Sequence, residues 1–518
     1  MRKICALEYL SMPKPKRAWF KFCSFFLNIP SAIGGFVKSI PSKLWVLLQK
    51  IGMWFSTFID ALRYGNFKTK ISLLAWGAGC FAYGQIGRGL MFSLYEVAFI
   101  LYMIFFGWQY LSRIALDKSK LVALNDIKSE YGGTGGKHYD NTFSILLYSL
   151  LTIIIILLTL VVIINSVKQA YDNQLSYAIA KRMATTRDDV NQLLNHKFHI
   201  TILAFPSLTL VVFTVIPLLF MILVAFTDFH QTTMPPANLF TWVGFDNFKA
   251  VITGEATSGT LAQNAEKYAH TFWYILRWTL VWAVIATFSN LFGGMFVAIL
   301  INKKGIRLKK LWRTCLVTVI AVPQFVSLLL VSKMFITDGG IINYLLQFRL
   351  GLEPVKWLNG SRTMAQFVII MVNLWVGVPY TVLTCTGILM NIPSDLYEAA
   401  KIDGANPFKM FAKITFPYMM FVLGPSTITA FVSNINNFNI IFLLTNGTGA
   451  SGQSAAAGLV TSAGDLDLLI TWLYRMTVDK SDYDMASVIG ILLFVVIAFF
   501  SLIAYSRIGS VKNEEDFQ

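Results

Sequence analysis

Polar side chains interrupt an apolar stretch near the C-terminus. Asn434, Asn436 and Asn437 lie in a run that is otherwise aliphatic and aromatic. Amides inside a membrane are costly unless they pair across helices or face a water-filled cavity. Asn434 and Asn437 are three residues apart, which predicts that they share one helix face. Two interpretations stay open here: structural hydrogen bonds between helices, or a binding site for a hydroxyl-rich ligand.

Tyr380 favours the second interpretation. It lies in the neighbouring apolar stretch, close to Gly377 and Pro379, which can open a helix backbone. A sugar needs amide groups for its hydroxyls and an aromatic face for its apolar C–H surface. Tyr380 together with Asn434 and Asn437 supplies both kinds of group.

No motif for catalysis or for nucleotide binding is found. Gly132 to Lys137 (GGTGGK) is similar to a phosphate-binding loop, but its spacing is one residue short and His138 replaces the required Ser or Thr. There is no zinc motif, nucleophile elbow or catalytic carboxylate pair. The five cysteines lack metal-ligand spacing. We therefore expect a chain that is not an enzyme, with no metal and no cofactor of its own.

The segment 391–417, NIPSDLYEAAKIDGANPFKMFAKITFP, is longer and more patterned than a connection between two spans requires. Leu396 to Ile402 is predicted to form a short helix that Ser394 or Asp395 caps. Gly404 permits a sharp turn with positive φ.

A second short helix is predicted to follow this turn. Asn406-Pro407 starts it, with proline in the first turn. Phe408, Phe411 and Ile414 then fall on one face. The pattern predicts a two-helix knob that docks another protein, and the alternative is an ordinary loop with an amphipathic helix.

Composition predicts a membrane protein around these features. The chain has 518 residues, 56% of them hydrophobic and 14% charged, with a mean hydropathy of +0.60. Soluble domains carry about 25% charged residues. A crossing helix needs about 20 apolar residues, so we predict an all-α polytopic fold. The candidate spans are 90–111, 143–165, 199–226, 272–302, 313–335, 365–390, 418–445 and 485–506.

Orientation follows from Lys and Arg, which concentrate in short inner loops. The segment 302–313 (NKKGIRLKKLWR) must lie inside, and the formal charge of +16 reflects such loops rather than nucleic-acid binding. The loop 112–142 fits less well, because it carries five basic residues on the predicted outer side. The count also places residues 1–89, 166–198 and 391–417 inside, and 112–142, 227–271, 336–364 and 446–484 outside.

The N-terminal region is predicted to lie on the inner surface. Residues 1–70 mix basic and aromatic side chains, which is typical of amphipathic interfacial helices; the alternative is a further crossing at 44–62. Leu73 to Gly89 is interpreted as re-entrant or interfacial, with a full hairpin as the competing interpretation. The predicted organisation is a basic interfacial region 1–89, two peripheral spans in 90–198, a six-helix core 199–510 and a cytoplasmic tail 511–518.

One motif in the knob resembles a known family. Glu398-Ala399-Ala400, then Gly404, Ile414 and Phe416-Pro417, resembles the EAA loop of ABC importer permeases, with Phe416 where leucine is usual. The resemblance implies that the short helix enters a cleft on a separate ATPase. The implied coupling residues are Glu398, Ala399, Ala400, Asp403, Gly404, Ala405, Phe408, Ile414 and Pro417.

Over about 199–510 the chain is similar to MalF-type permeases of maltose and maltodextrin importers. NLWVGVPY (373–380), NINNF (434–438) and LLITWLYRM (468–476) carry this resemblance. Ser433 departs from the pattern, which expects an aromatic residue there. The resemblance implies a sugar site at Val376, Gly377, Tyr380, Ser433, Asn434 and Asn437.

The same resemblance implies the partners. They are a second permease subunit in a heterodimer, two ATPase subunits that bind ATP and Mg, an extracellular solute-binding protein, the oligosaccharide substrate and membrane lipid. The resemblance places the chain in the bacterial cell membrane as a multi-pass protein. The short loop 227–271 is typical of Gram-positive members, because Gram-negative ones insert a domain there. A raffinose-type cargo is the alternative within this class.

Two other classes of function make different predictions. An ion-coupled secondary transporter predicts paired carboxylates in the spans and inverted repeats, and the core spans lack such carboxylates. A non-transporting scaffold predicts apolar spans without the Tyr and Asn cluster.

Overall fold

The computed structural model describes residues 49, 52–131, 138–180, 185–257, 259–303, 305–453 and 457–505. These residues form helices and no named strand, apart from an isolated bridge between Thr227 and Trp242. The predicted all-α fold is confirmed. The basic segment up to residue 48, the GGTGGK sequence at 132–137 and the tail at 511–518 lie outside the described residues.

Within the described residues, seven helices are long and apolar enough to cross a membrane, and a bent pair makes an eighth candidate. They occur in the order of the eight predicted stretches. One of them, Pro407–Leu444, consists of three α-helices and a π-helical segment, Phe411–Thr415. The helices are α1 (Ile86–Leu111), α2 (Thr142–Ala180), α3 (Phe198–Val224), α4 (Gly259–Asn302), α5 (Lys309–Ala321), α6 (Gln324–Met334), α7 (Ile341–Leu350), α8 (Arg362–Met390), α9 (Ser394–Ile402), α10 (Pro407–Met410), α11 (Phe416–Ile435), α12 (Phe438–Leu444), α13 (Leu469–Val478) and α14 (Tyr483–Tyr505). Short helices also occur at Phe67–Lys70, Ala78–Ala82, Leu124–Tyr131, Thr186–Leu194 and Asp246–Ile252.

The predicted span 313–335 is broken rather than continuous. Helices α5 and α6 meet at an angle of 91°. Pro323 stands at the break, and Val322 before it is extended, with φ −80° and ψ 127°. Proline lacks a backbone N–H and disfavours helical backbone in the residue before it, which explains the break.

The chain divides into two compact units, and the first contains Val37–Gly244. In this N-terminal unit α1 packs against α2. Helix α3, which the sequence placed at the start of the core, lies in this unit and contacts α2. Most side chains of α3 are exposed, several in its second half are partly buried, and Val224 is buried.

The segment before α1 is built from short helices rather than a hairpin of two crossings. Trp76 is buried, and its ring contacts those of Tyr95 and Phe99 on α1. Its backbone N–H donates to Glu96 Oε2 at 2.9 Å, and its carbonyl accepts from the Ser166 hydroxyl on α2. Glu96, whose role the sequence did not reveal, therefore anchors this segment to α1.

The second unit, from Phe245 onward, contains the bundle of α4, α8 and α11. Helices α4 and α8 run parallel, since Gly294 faces Thr381 and Gly377 faces Asn290. One apolar cluster centres on Trp282, Ile369 and Ile441, and a second one contains Leu291, Met419 and Leu423. The stretch between the two clusters carries the polar residues discussed next.

Candidate substrate cavity and coupling loop

A cavity of about 290 Å³ lies between α4, α8 and α11 in the C-terminal unit. It occupies the zone between the two apolar clusters, so hydroxyl and amide groups replace aliphatic side chains there. The described residues that line it include no charged side chain. The lining is Thr287, Asn290, Leu291, Gly377, Tyr380, Thr381, Thr384, Leu423, Ser426, Thr427, Ala430, Ser433 and Asn434.

The structure brings four of the six residues proposed for the sugar site to this cavity: Gly377, Tyr380, Ser433 and Asn434. Tyr380 is half exposed there, at 51%. Val376 does not line the cavity, because it is buried in the apolar cluster around Trp282, Ile369 and Ile441. Asn437 does not line it either, for a reason that lies in the backbone.

The helix that carries the asparagines is interrupted. Helix α11 ends at Ile435 and α12 begins at Phe438, with Asn437 as its N-cap. The Asn437 side-chain oxygen accepts from Ile440 N–H at 3.4 Å. Asn434 and Asn437 therefore do not share one helix face, and the prediction that they do is wrong. An asparagine caps a helix readily because its short side chain reaches the free N–H groups of the first turn.

Asn434 makes the interhelical hydrogen bonds of the first interpretation. Its Nδ2 donates to Thr287 Oγ1 on α4 at 2.9 Å, and its backbone carbonyl accepts from Trp282 Nε1 at 3.1 Å. These bonds hold the end of α11 against α4. The same residue also lines the cavity, so its amide is fixed in place beside the space that a ligand would occupy.

Sequence reasoning missed six polar residues of the lining: Thr287, Asn290, Thr381, Thr384, Ser426 and Thr427. A signal for some of them existed. Thr381 and Thr384 follow Gly377 at helical spacings of four and seven residues, which places all three on one face of α8. Single threonines in apolar helices usually bond to their own backbone, so they attract less attention than asparagine.

The lining chemistry fits a neutral polyhydroxylated ligand. The hydroxyls of Thr384, Ser426 and Thr427 donate to carbonyls of their own helices at 2.8–3.2 Å. Their oxygens are then left as acceptors for a ligand's donors. Tyr380 offers a ring face, and Leu423 offers an apolar wall. Among the described residues no group of His, Cys, Asp or Glu could hold a metal ion.

The predicted knob, 391–417, contains the predicted first short helix, α9. The predicted second short helix is not separate, because α10 continues through a π-helical segment, Phe411–Thr415, into α11. Gly404 has φ +68°. Its N–H donates to Lys401 O at 3.0 Å, and Ala405 N–H donates to Ala400 O at 2.9 Å. This pair of bonds is the Schellman ending of a helix, which favours glycine at this position. The predicted turn at Gly404 is confirmed.

The caps of the loop differ in part from the prediction. Ser394 is already the first residue of α9, and neither it nor Asp395 caps the helix. That prediction is wrong, because Pro393 takes the cap position with extended backbone. Asn406 does cap α10, accepting from Lys409 N–H at 2.8 Å, and Pro407 follows in the first turn as predicted.

The exposed surface of the loop also differs. Phe408 is 75% exposed. Phe411 packs against Phe416 instead, beside the apolar cluster that contains Met419 and Leu423. Ile402, at 87% exposure, adds to the apolar surface instead. Most of the proposed coupling residues reach the surface: Glu398, Ala399, Asp403, Gly404, Phe408 and Pro417 are exposed, and Ala400, Ala405 and Ile414 are partly buried.

The multiple spans, the uncharged cavity within them and the exposed knob define a membrane transport subunit. The family of binding-protein-dependent transport system inner membrane components matches residues 290–510, which include the knob and every residue of the cavity lining except Thr287. The galactooligosaccharide permease GanP of Bacillus subtilis (strain 168) is 32% identical over 72% of this chain and 85% of its own length. The maltodextrin permease MdxF of the same strain is 30% identical over 86% of this chain and 97% of its own length.

The chain belongs to this family of ABC importer permeases, and within it to the MalF type. The maltose/maltodextrin permease MalF of Escherichia coli (strain K12) is 35% identical over half of this chain and 48% of its own length. The chain is therefore a multi-pass transport subunit for oligosaccharides and not an enzyme. Its family implies a solute-binding protein, a second permease and an ATPase as partners.

Proposed function

We propose that the cargo is a neutral oligosaccharide of the maltodextrin class, which passes through the cavity between α4, α8 and α11. The observation that carries this proposal is the uncharged lining, in which Tyr380 faces hydroxyl and amide groups. Within this proposal Gly377, Tyr380, Ser433 and Asn434 contact the sugar. Val376 and Asn437 act on the site indirectly in this proposal. Val376 packs in the neighbouring apolar cluster, and Asn437 caps helix α12.

Two relatives point to different sugars. A maltodextrin permease matches 86% of this chain, whereas the galactooligosaccharide permease matches 72% at slightly higher identity. Galactooligosaccharides are therefore the second candidate, ahead of raffinose-type sugars. Both candidates are neutral, which an uncharged lining accepts.

Uptake by the assembled transporter in liposomes separates these candidates. Maltotriose, a galactotriose, raffinose and an acidic uronate trisaccharide serve as competing substrates. We expect maltotriose to be taken up and the acidic sugar to be excluded, because the lining has no cation to pair with it. Preferred uptake of the galactotriose would transfer the proposal to the second candidate, and uptake of only the acidic sugar would refute both.

The exposed knob of α9 and α10 is the proposed link to ATP hydrolysis. In this proposal two ATPase subunits bind ATP and Mg, one docks on Glu398 and Gly404, and a second permease completes the pathway as a heterodimer. Closure of the ATPases moves the knob and rocks the spans from inward-facing to outward-facing. A short outer connection at 227–271 fits a Gram-positive cell, in which a membrane-anchored binding protein delivers the sugar.

Substitutions in the knob test this link. Glu398→Ala and Gly404→Val are expected to abolish uptake, the second because valine strongly disfavours φ +68°. Both variants should still insert, since both positions are exposed. Asp395→Ala, on the same helix but outside the motif, is the matched control and should transport normally. Normal uptake by Glu398→Ala, measured beside its amount in the membrane, would count against the link.

A further inference from the structure

A second cavity, of about 360 Å³, lies in the N-terminal unit between a helix at residues 52–64 and the C-terminal part of α2. Each helix contributes three polar side chains, spaced so that they share one helix face. They are Thr57, Asp60 and Tyr64 on the first helix, and Lys168, Tyr171 and Asp172 on α2. The proposed transport of sugar uses none of them.

The cavity lining carries charges of both signs that the protein leaves unpaired. Among the described residues, neither Asp60 nor Asp172 forms an ion pair with Lys168 or with any other cation. Lys168 Nζ lies 3.5 Å from the Trp54 carbonyl oxygen and 5.3 Å from the centre of the Trp54 ring. An ammonium has three donors, and a carboxylate only accepts. The lining therefore suits a ligand that has both an anionic and a cationic group.

The cavity lies where the sequence places the edge of the membrane. Lys168 comes three residues after the predicted span 143–165, which is about 4.5 Å along a helix. Trp54, Tyr64 and Tyr171 surround it with rings that have polar tips. Such rings are enriched at the level of the lipid headgroups. A ligand of this cavity is therefore within reach of the membrane surface.

The helix at 52–64 turns an apolar face away from the cavity. Phe55 and Ile59 are one turn apart, lie on the other face from Asp60, and are 45% and 56% exposed. An amphipathic helix at the membrane surface places such a face against acyl chains. Charges beside hydrocarbon are costly unless they are paired, so a partner for Asp60 is favoured here.

We propose that this cavity binds the headgroup of an aminophospholipid from the predicted inner leaflet, with phosphatidylethanolamine as the simplest case. Lys168 pairs with the phosphate, and Asp60 and Asp172 accept hydrogen bonds from the primary ammonium group. The acyl chains stay in the hydrocarbon beside the helix at 52–64. A choline headgroup lacks the N–H donors, and a glycerol headgroup lacks the cation. The bound lipid joins the helix at 52–64 to α2, and this role does not depend on which sugar is transported.

The test measures equilibrium binding of defined lipids to the delipidated, assembled transporter by native mass spectrometry. Dioleoyl-phosphatidylethanolamine is compared with phosphatidylcholine and phosphatidylglycerol that carry the same acyl chains. We expect phosphatidylethanolamine to bind about tenfold more tightly than phosphatidylcholine, because methylation removes the donors to the carboxylates. Phosphatidylglycerol should also bind more weakly, since it has no ammonium group.

Variants assign this preference to the cavity. The double variant Asp60→Asn/Asp172→Asn should lower phosphatidylethanolamine binding about tenfold and leave phosphatidylcholine binding unchanged. Lys168→Met should weaken both lipids, because both carry the phosphate. Asp126→Asn is the matched control, since it makes the same charge change at an exposed position on the predicted outer side of the same unit. It should change neither affinity.

Three results would overturn the proposal. The first is equal binding of the three lipids by the wild type, and the second is unchanged phosphatidylethanolamine binding in the Asp60→Asn/Asp172→Asn variant. The third is competition by O-phosphoethanolamine, the headgroup alone, at the same concentration as the whole lipid, because the ligand would then be a soluble ion. If Lys168→Met fails to assemble, the aspartate variant decides, since both of its positions are exposed.

Discussion

Gly377 has no side chain, and this allows helices α4 and α8 to approach each other closely. The amide of Asn290 occupies the place where a Cβ would stand. Close helix contacts of this kind depend on small residues, since membrane helices associate through van der Waals packing. Gly387, on the same helix, has open space where its Cβ would be, which makes a matched pair of glycines available.

Gly377→Ala is therefore expected to destabilise the protein by about 1–3 kcal/mol, as overpacking does. Gly387→Ala should be neutral or stabilise by about 0.5–1 kcal/mol, because alanine favours a helix. Asn290→Ala added to Gly377→Ala should recover most of the loss. Thermal unfolding of the purified protein measures all three. Equal effects of the two glycine substitutions would show that the close contact is not under strain.

The surroundings of Asp467 shift the pKa of its carboxyl group. It lies in the predicted outer segment 446–484, is 1% exposed, and pairs with Arg475 at 2.8 Å. It also accepts from Gly464 N–H at 2.7 Å and from the Thr471 hydroxyl at 2.9 Å. Burial raises the pKa of Asp467 to about 6, although Arg475 and these hydrogen bonds lower it.

The sign of the resulting pH dependence follows from this pKa. An aspartate with pKa 3.8 when unfolded and about 6 when folded binds more protons in the folded state. Its contribution to stability is complete below about pH 4 and is lost as the pH rises through about 6. Hydrogen exchange of amides near Asp467, corrected for intrinsic rates, should show protection falling from pH 4 to pH 7. Asp467→Asn should flatten this profile, whereas Asp479→Asn, at an exposed position, should not; a flat wild-type profile would contradict the expectation.

At the scale of single elements, the coupling loop shows what a sequence pattern can and cannot reveal. The glycine turn at Gly404 and the cap at Asn406 were predictable, because each depends on one residue and its own backbone. The cap of α9 was not, since Pro393 and Ser394 compete for adjacent positions. The inward turn of Phe411 depends on the apolar cluster it meets, which no local pattern contains.

The capping difference gives a test at this scale. Asn406→Ala should cost α10 about 1 kcal/mol, because the Lys409 N–H loses its acceptor. Ser394→Ala should change α9 little, since its hydroxyl reaches only Asp395 Oδ1, at 3.3 Å. Exchange rates of the backbone amides in 394–402 and 407–410 measure both. Faster exchange of the α9 amides in Ser394→Ala would contradict this expectation, because it would show that Ser394 caps the helix as the sequence predicted.

Two of the predicted spans are interrupted, which shows the same limit of prediction from sequence. The eight apolar stretches were found from composition alone, since crossing the hydrocarbon requires them. The break at Pro323 carried a signal, but the gap between Ile435 and Phe438 did not, because asparagines fit equally well in a helix that pairs across the bundle. Four of the six expected site residues reach the cavity, and the other two are displaced by this gap and by the side on which α8 packs.

At the scale of the whole molecule, the basic residues of the loop 112–142 conflict with the predicted orientation of the first two spans. In the structure, acidic side chains pair with three of the basic residues of this loop. Arg113 pairs with Asp140 at 2.8 Å, Lys118 with Asp228 at 3.7 Å, and Lys120 with Asp117 at 3.8 Å.

Hydrogen bonds within the N-terminal unit add a topological constraint. Leu124 N–H donates to Pro236 O at 3.0 Å, and Trp242 Nε1 donates to Ile114 O at 2.8 Å. The loops on either side of α2 and α3 therefore lie on one face of the membrane. At the other ends of the spans, Arg88 Nε donates to Asp189 Oδ2 at 2.7 Å and Asn173 Nδ2 donates to Gln85 Oε1 at 2.8 Å. Gln85 and Arg88 thus share the opposite face with Asn173 and Asp189.

Single cysteines in a background without the five natural ones test the orientation. Exposed positions Ser129 and Gln231 lie in the two hydrogen-bonded loops, and exposed Asn195 lies at the opposite ends of the spans. A maleimide that cannot cross membranes should label Cys at 129 and 231 in intact cells, and Cys at 195 only after permeabilisation. Different labelling of 129 and 231 would contradict the contact between the loops. Labelling of 195 alone would preserve that contact and invert the predicted orientation, so the experiment separates the packing of this unit from its direction in the membrane.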